Sequence, residues 1–331
     1  MAINLTWLSH LRAKDLKALA TAIGVSSSGT KPILTNSLQA NLPFSVFARQ
    51  SGNGNGVARD DASPKGKNKE IQEISSILSI DMGIKNLAYC RILPAQKPII
   101  TEWERLNVLK NNDSGATHTD VETGTKDAYD PLLYASHATA WVSALIERDP
   151  SALVLIERQR FRSGGGFAVQ EWTLKVNMFE AMLYAVLETL KREGKWKGSV
   201  QGISPARVAG FWLCEGEEEA SRGRRKHKGM EEKSRGNKTG KNKKSGMTAI
   251  VREWFQEGKS VLKVEGKAIK TKGHFFGKLE QGKTREKLTK IDDLADCLLQ
   301  GMACLKWEEN RQLICRTGME ALEKVSGHRR A

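Results

Sequence analysis

The sequence predicts an α/β fold, a mixed sheet flanked by helices, preceded by a small helical unit. Three observations lead there. Apolar runs of strand length stand at Ile77–Ile80, Leu87–Leu93, Ile99–Val108 and Ala152–Ile156. Helical periodicity falls between and after them, at Pro131–Arg148, Val169–Lys191 and Thr289–Glu308. Residues 44–73 lose all periodicity and are rich in Ser, Gly, Asn, Lys and Asp, the composition of a flexible linker. They divide a unit at 1–43 from a domain at 74–326.

With 39% hydrophobic residues in 331, the chain has the core for one large domain or two unequal ones. Its 53 Lys and Arg against 38 Asp and Glu give a formal charge of +15. Such an excess points to a polyanionic partner, nucleic acid first. The plain alternatives are solubility, an acidic protein or a membrane surface. The five cysteines are odd in number and form no CxxC pair, so they read as free thiols in a reducing compartment. Neither they nor the histidines have zinc-ligand spacing. No apolar run approaches ~18 residues, so no membrane span is expected, and no secretory signal is visible.

In chain order, Leu8, Leu11, Leu16, Leu19 and Ala20 have helical spacing, and Gly24 ends that helix. A Ser-rich stretch from Ser26 to Lys31 leads into a second helix, with Ile33, Leu34, Ser37 and Leu38 on one face. This arrangement resembles a SAP motif, a short helix–extended–helix DNA-binding module. The resemblance implies phosphate contacts from Lys31 and the start of the second helix. The plain alternative is a helical hairpin docked on the main domain.

From residue 74, the first three apolar runs form an antiparallel meander. Asn111–Thr125 reads as an exposed loop. Pro131 opens a helix with Leu132, Leu133, Ala140, Trp141, Ala144 and Leu145 toward the core. The run Ala152–Ile156 ends on Glu157 and meets a basic, Gly-rich loop carrying Arg158, Arg160, Phe161, Arg162 and Phe167. After the helix Val169–Lys191 comes a strand near Val200–Ile203. Residues 222–244 are a basic insertion, eleven Lys or Arg against two Glu, including Arg224, Arg225 and Lys226. Such a block makes phosphate contacts, or serves as an organelle or nuclear address. Helices at Met247–Gln256 and Thr289–Glu308 complete the reading.

Three acidic stations stand out. Asp81 ends a buried strand, where a carboxylate must be paired or bind a metal. Glu157 ends another. Asp292, Asp293 and Asp296 flank the apolar face of the last helix, formed by Ile291, Leu294, Ala295, Leu298, Leu299 and Met302. Ordinary acidic bias at a helix N-terminus would explain Asp292 alone. Strand, strand, strand, helix, strand with these acids is the ribonuclease H-like arrangement. Parallel neighbours would bring Asp81 and Glu157 to one sheet end. Converging carboxylates cannot all ionise without cations, and hard divalent ions suit them. Two such ions suit in-line hydrolysis of a phosphodiester.

Ser79-Ile80-Asp81-Met82-Gly83-Ile84-Lys85-Asn86, Ile156-Glu157-Arg158-Gln159-Arg160-Phe161-Arg162 and Lys290-Ile291-Asp292-Asp293-Leu294-Ala295-Asp296 together resemble the fungal mitochondrial Holliday junction resolvases, relatives of bacterial RuvC. The resemblance covers about residues 74–308. It implies a mitochondrial homodimer that nicks opposing strands of a four-way DNA junction. It also implies Mg²⁺ or Mn²⁺, two ions per site, and no small-molecule cofactor. The family's first Asp falls on Asp81 and its Glu on Glu157. The RuvC pattern selects Asp293 and Asp296 as the late pair. An ideal helix prefers Asp292 with Asp296, about 40° apart, so all three stay open. Lys85, Lys290 and the basic residues named above are expected on DNA, with Phe161 or Phe167 against unstacked bases. The competing expectations are a ribonuclease H-like nuclease on RNA–DNA hybrids and a catalytically silent junction-binding, DNA-packaging protein.

Overall fold

In a computed structural model, which describes residues 5–45, 47, 74–108, 129–159, 170–213, 246–256, 260–276 and 291–322, the apolar runs pair edge to edge. Strands β1 (Ile77–Asp81), β2 (Leu87–Leu93) and β3 (Ile99–Leu106) form the antiparallel meander. Strand β4 (Leu153–Glu157) lies parallel to β1, and β5 (Ser199–Ile203) parallel to β4. A two-residue strand, β6 (Lys263–Val264), joins β3 in parallel. The sheet order is β5-β4-β1-β2-β3-β6.

The central strands are continuously apolar because helices cover both their faces. Side chains alternate between two cores. Ile77, Leu153 and Leu155 face one; Leu78, Ile80, Val154 and Ile156 face the other. The second core is closed by α3 (Pro131–Arg148) and α4 (Glu171–Arg192). Helix α3 starts where Asp130 accepts hydrogen bonds from the Leu132 and Leu133 amides, with Pro131 at its first position. Its predicted core face shifts. Tyr134, Ala138, Val142, Leu145 and Ile146 are buried, while Leu132 and Leu133 are exposed.

The first core is closed by α5 (Pro205–Leu213), α6 (residues 246–254), α7 (Ala268–Phe275) and α8 (Ile291–Thr317). Helix α8 crosses β1 and β2 closely. A Cβ on Gly301 would lie 2.6 Å from Ile92 Cδ1 and 3.2 Å from Ser79 Cβ, so a side chain there would have to push Ile92 aside. The Trp103 and Trp212 indoles donate to the Leu294 and Leu299 carbonyls and fix the helix lengthwise. No described helix is long and apolar enough to cross a membrane.

The N-terminal unit contains α1 (Ala13–Ala22) and α2 (Lys31–Asn41). Gly24, at φ +70°, lets the Gly24 and Val25 amides return to the Thr21 and Ala20 carbonyls and close α1. The buried stripe of α2 is Leu34, Thr35 and Leu38; Ile33, expected on it, is 57% exposed. The unit is docked on the far half of α8. Asn310 donates to the Ala22 carbonyl (2.9 Å) and Arg311 to the Leu42 carbonyl (2.7 Å). Side chains of α8 thus satisfy carbonyls at the ends of both small helices.

Arg91 is a buried hub. Its guanidinium donates to Glu102 (3.1 Å), Ser76 Oγ (3.3 Å) and the Leu145 carbonyl (2.9 Å), with Asp149 at 3.8 Å. It joins β1, β2, β3 and α3. Removing one partner of a buried ionic network strands the others, so Arg91→Ala should cost about 3–5 kcal/mol in urea unfolding. A loss below ~1 kcal/mol would mean that water replaces the guanidinium.

Candidate active site

Asp81 and Glu157 are the last residues of β1 and β4. Those strands pair in parallel with Ile80 opposite Ile156, so the two carboxylates stand side by side at one sheet end. Strand alternation turns both toward the α8 face. Asp81 is only 9% exposed and is hydrogen-bonded to Glu157. Burial pushes its carboxyl well above the usual range. The hydrogen bond to Glu157, the Glu157 charge, and then the Asp296 and Asp293 charges push it the same way. A proton held between neighbouring carboxyl groups is the expected response to that crowding.

Helix α8 brings in the remaining acids. Asp296 and Asp293 are the helix carboxylates that act most strongly on Asp81, in that order. Behind them the Cys297 thiol is pushed up by burial, beside Cys90. It stays a thiol and packs as a small apolar group.

Two polar residues missed in the sequence fasten this geometry. Gln300, 3% exposed and one turn beyond Asp296, donates from Nε2 to Ser79 Oγ (3.1 Å) and to the Ile80 (3.2 Å) and Leu155 (3.4 Å) carbonyls. Ser79 Oγ in turn donates to the Cys297 carbonyl at 2.8 Å. The helix is therefore tied to both strands just before their acids. The signal was a glutamine and a serine interrupting apolar faces. Glu180 of α4 accepts the Gln159 amide at 3.2 Å and so holds the chain as it leaves Glu157. Burial raises the Glu180 carboxyl and the Glu157 charge adds to that, against the Gln159 bond and the Arg158 charge. The neighbouring Tyr184 phenol is pushed up to about 12, chiefly by burial.

Of the residues expected on DNA, Lys31 is exposed at the start of α2, Lys85 on the β1–β2 turn and Arg158 directly after β4. Arg160, Phe161, Arg162, Phe167, Arg224, Arg225, Lys226 and Lys290 lie outside the described residues, as does the insertion 222–244.

The donor set is all oxygen and all carboxylate, which suits a hard divalent cation and not zinc's usual nitrogen and sulfur ligands. No three described acidic, histidine or cysteine side chains close around a single point. Ligation by this set would therefore require these carboxylates to draw closer together and to be deprotonated.

A family model described as mitochondrial resolvase Ydc2 / RNA splicing MRS1 matches residues 77–314. The chain belongs to this family. Among its relatives, a mitochondrial cruciform cutting endonuclease 1 of Schizosaccharomyces pombe is 33% identical over 149 residues. That match covers 43% of this chain and 54% of the relative, so the chain spans about half of it. The protein of the same name from Saccharomyces cerevisiae is 22% identical over 333 residues, covering 92% of this chain and 84% of its own. The crystal structure of the yeast mitochondrial Holliday junction resolvase Ydc2 superposes with a TM-score of 0.56, at 22% identity. It covers 95% of this chain and 99% of that one, and the likeness is one of fold.

The crowded pair makes a pH-dependent prediction. With the folded-state value of Asp81 raised above the ordinary 3.8, the folded chain holds more protons than the unfolded one above that pH. Stability from this group is complete below pH 3.8 and is lost as pH rises through the raised value. In EDTA, Asp81→Asn should melt above the wild type, by a margin that widens from pH 4 to 8. A margin that is negative, or constant over that range, would show that Asp81 is not crowded.

Proposed function

We propose that the protein is an endonuclease that resolves four-way DNA junctions by paired, symmetric nicks. The observation that carries this reading is the meeting of Asp81 and Glu157 at neighbouring strand ends, within reach of the Asp296 and Asp293 charges on α8, in a chain of the resolvase family. The names of the family and of its relatives place them in mitochondria, and the same compartment is proposed here.

Asp81, Glu157, Asp293 and Asp296 would hold divalent cations, Mg²⁺ or Mn²⁺, two per site. Bound there, such ions supply charge stabilisation and an activated water for in-line displacement at phosphorus. The chain's own residues prepare the site. Gln300 and Ser79 fix the helix acids against the strand acids, Glu180 sets the exit of the chain after Glu157, and Arg158 offers a positive charge to the incoming phosphodiester. Two opposed nicks require two such sites, which a homodimer provides. The N-terminal unit, residues 1–43, is proposed as a SAP-like DNA contact added to the nuclease domain 74–326, with further phosphate contacts from the basic insertion at 222–244.

A second reading is a nucleic-acid-binding protein that does not cut; the family's description also names an RNA-splicing protein. The crowded carboxylates disfavour it, because a silent site gains nothing from their mutual repulsion. The test separates binding from cutting. Asp81→Asn, Glu157→Gln and Asp296→Asn should each bind a labelled junction about as tightly as wild type and cut it slower by roughly a hundredfold or more in Mg²⁺. Near-normal cutting by one of these variants would remove that residue from the site.

A further inference from the structure

Beside the carboxylates lies a cleft of about 510 Å³ whose two walls come from different parts of the chain. One wall is the Gly24–Ser28 loop of the N-terminal unit; the other includes Arg158, Gln159, Ser204 and Arg207. The second wall sits at the ends of β4 and β5, the sheet end that carries Asp81 and Glu157. Arg158 directly follows Glu157, and its amide donates to the Ile203 carbonyl (2.8 Å), just before Ser204. The cleft therefore opens at the same sheet end as the acidic pair, beginning one residue after Glu157.

Its chemistry is one-sided. The charged lining residues are Arg158 and Arg207, none of the twelve lining residues is acidic, and Ser26, Ser27, Ser28 and Ser204 add hydroxyls. The volume falls in the range of about 300–1,000 Å³ over which proteins hold ligands. The walls are also fixed to each other. Arg207 Nη1 donates to the Gly24 carbonyl (3.3 Å), and a guanidinium can serve a carbonyl and a phosphate together. Gly24 rests on Trp307 so closely that a Cβ there would stand 2.2 Å from the indole.

We infer that this cleft seats backbone phosphates of a DNA strand leading to the active site, so that the docked N-terminal unit and the nuclease domain form one DNA-holding surface. Arg207 and the Ser26–Ser28 loop are the contacts it adds. The inference rests on the nuclease reading above, and it makes the N-terminal unit part of the substrate track.

The test is binding of fluorescent four-way junction and plain duplex in EDTA, across a salt titration. Arg207→Gln removes one of the cleft's two positive charges. Ser27→Glu, at an exposed position, places a negative charge in the cleft without disturbing the docked walls. Lys97→Gln, on the exposed β2–β3 turn at the opposite sheet end, is the control for charge alone. Arg207→Gln and Ser27→Glu should each weaken both DNAs roughly tenfold. Arg207→Gln should also lower the salt slope by about one, and Lys97→Gln should match wild type. If the two cleft variants bind as Lys97→Gln does, with an unchanged slope, the inference is wrong. A wild-type chain that binds duplex as well as junction in EDTA, and cuts neither once Mg²⁺ is added, would defeat the resolvase reading, while the variant comparison on duplex would still decide the cleft.

Discussion

Two carboxylates side by side in a buried corner repel each other and lose hydration, and the surrounding fold has to hold them against both costs. Here that corner is the common end of β1 and β4. Strand pairing fixes the spacing of Asp81 and Glu157, and α8 adds Asp296 and Asp293. The helix cannot drift away. Gln300 spans the two strands, Gly301 allows contact with Ile92 and Ser79, and two indoles grip its backbone. This acidic corner is thus braced by a helix buried along most of its length, a site held in place at some expense of stability.

The same helix joins the site to the N-terminal unit. Its first turns carry the acids, its middle fills the core, and its last turns cap α1 and α2. Glu308 shows how the last part is held. Buried to 2% exposure, its carboxyl is nonetheless kept below the usual range by Arg311, Ser45 and Gln312, against the effect of burial. A chain separated from the domain by a long polar linker in sequence is therefore seated against it in space.

Much of this was legible in the residues. Strand-length apolar runs marked β1 to β4, because both faces of those strands are covered. Pro131 marked the start of α3, and the Asp130 cap in front of it came only with the structure. Asp81 and Glu157 stood out because a carboxylate closing a buried run needs a reason. Other features had no local signal. The strand β6 is two residues long and exists only by pairing with β3. Helix α8 was expected to stop at Glu308, where polar residues begin, but it runs on to Thr317 because those residues pair with one another and with the N-terminal unit. Ile33 suited a buried face by spacing, yet α2 turns Leu34 and Leu38 inward. Gln300 and Glu180 act through contacts far apart in the chain, which spacing does not reveal.

The central claim concerns what this arrangement cuts. The most direct measurement is a competition in Mg²⁺ among labelled four-way junction, linear duplex and RNA–DNA hybrid of matched sequence. The account predicts symmetric nicks in opposing strands of the junction, with duplex and hybrid left intact. Cleavage of the hybrid in preference to the junction, or binding of the junction with no cleavage of any substrate, would contradict it.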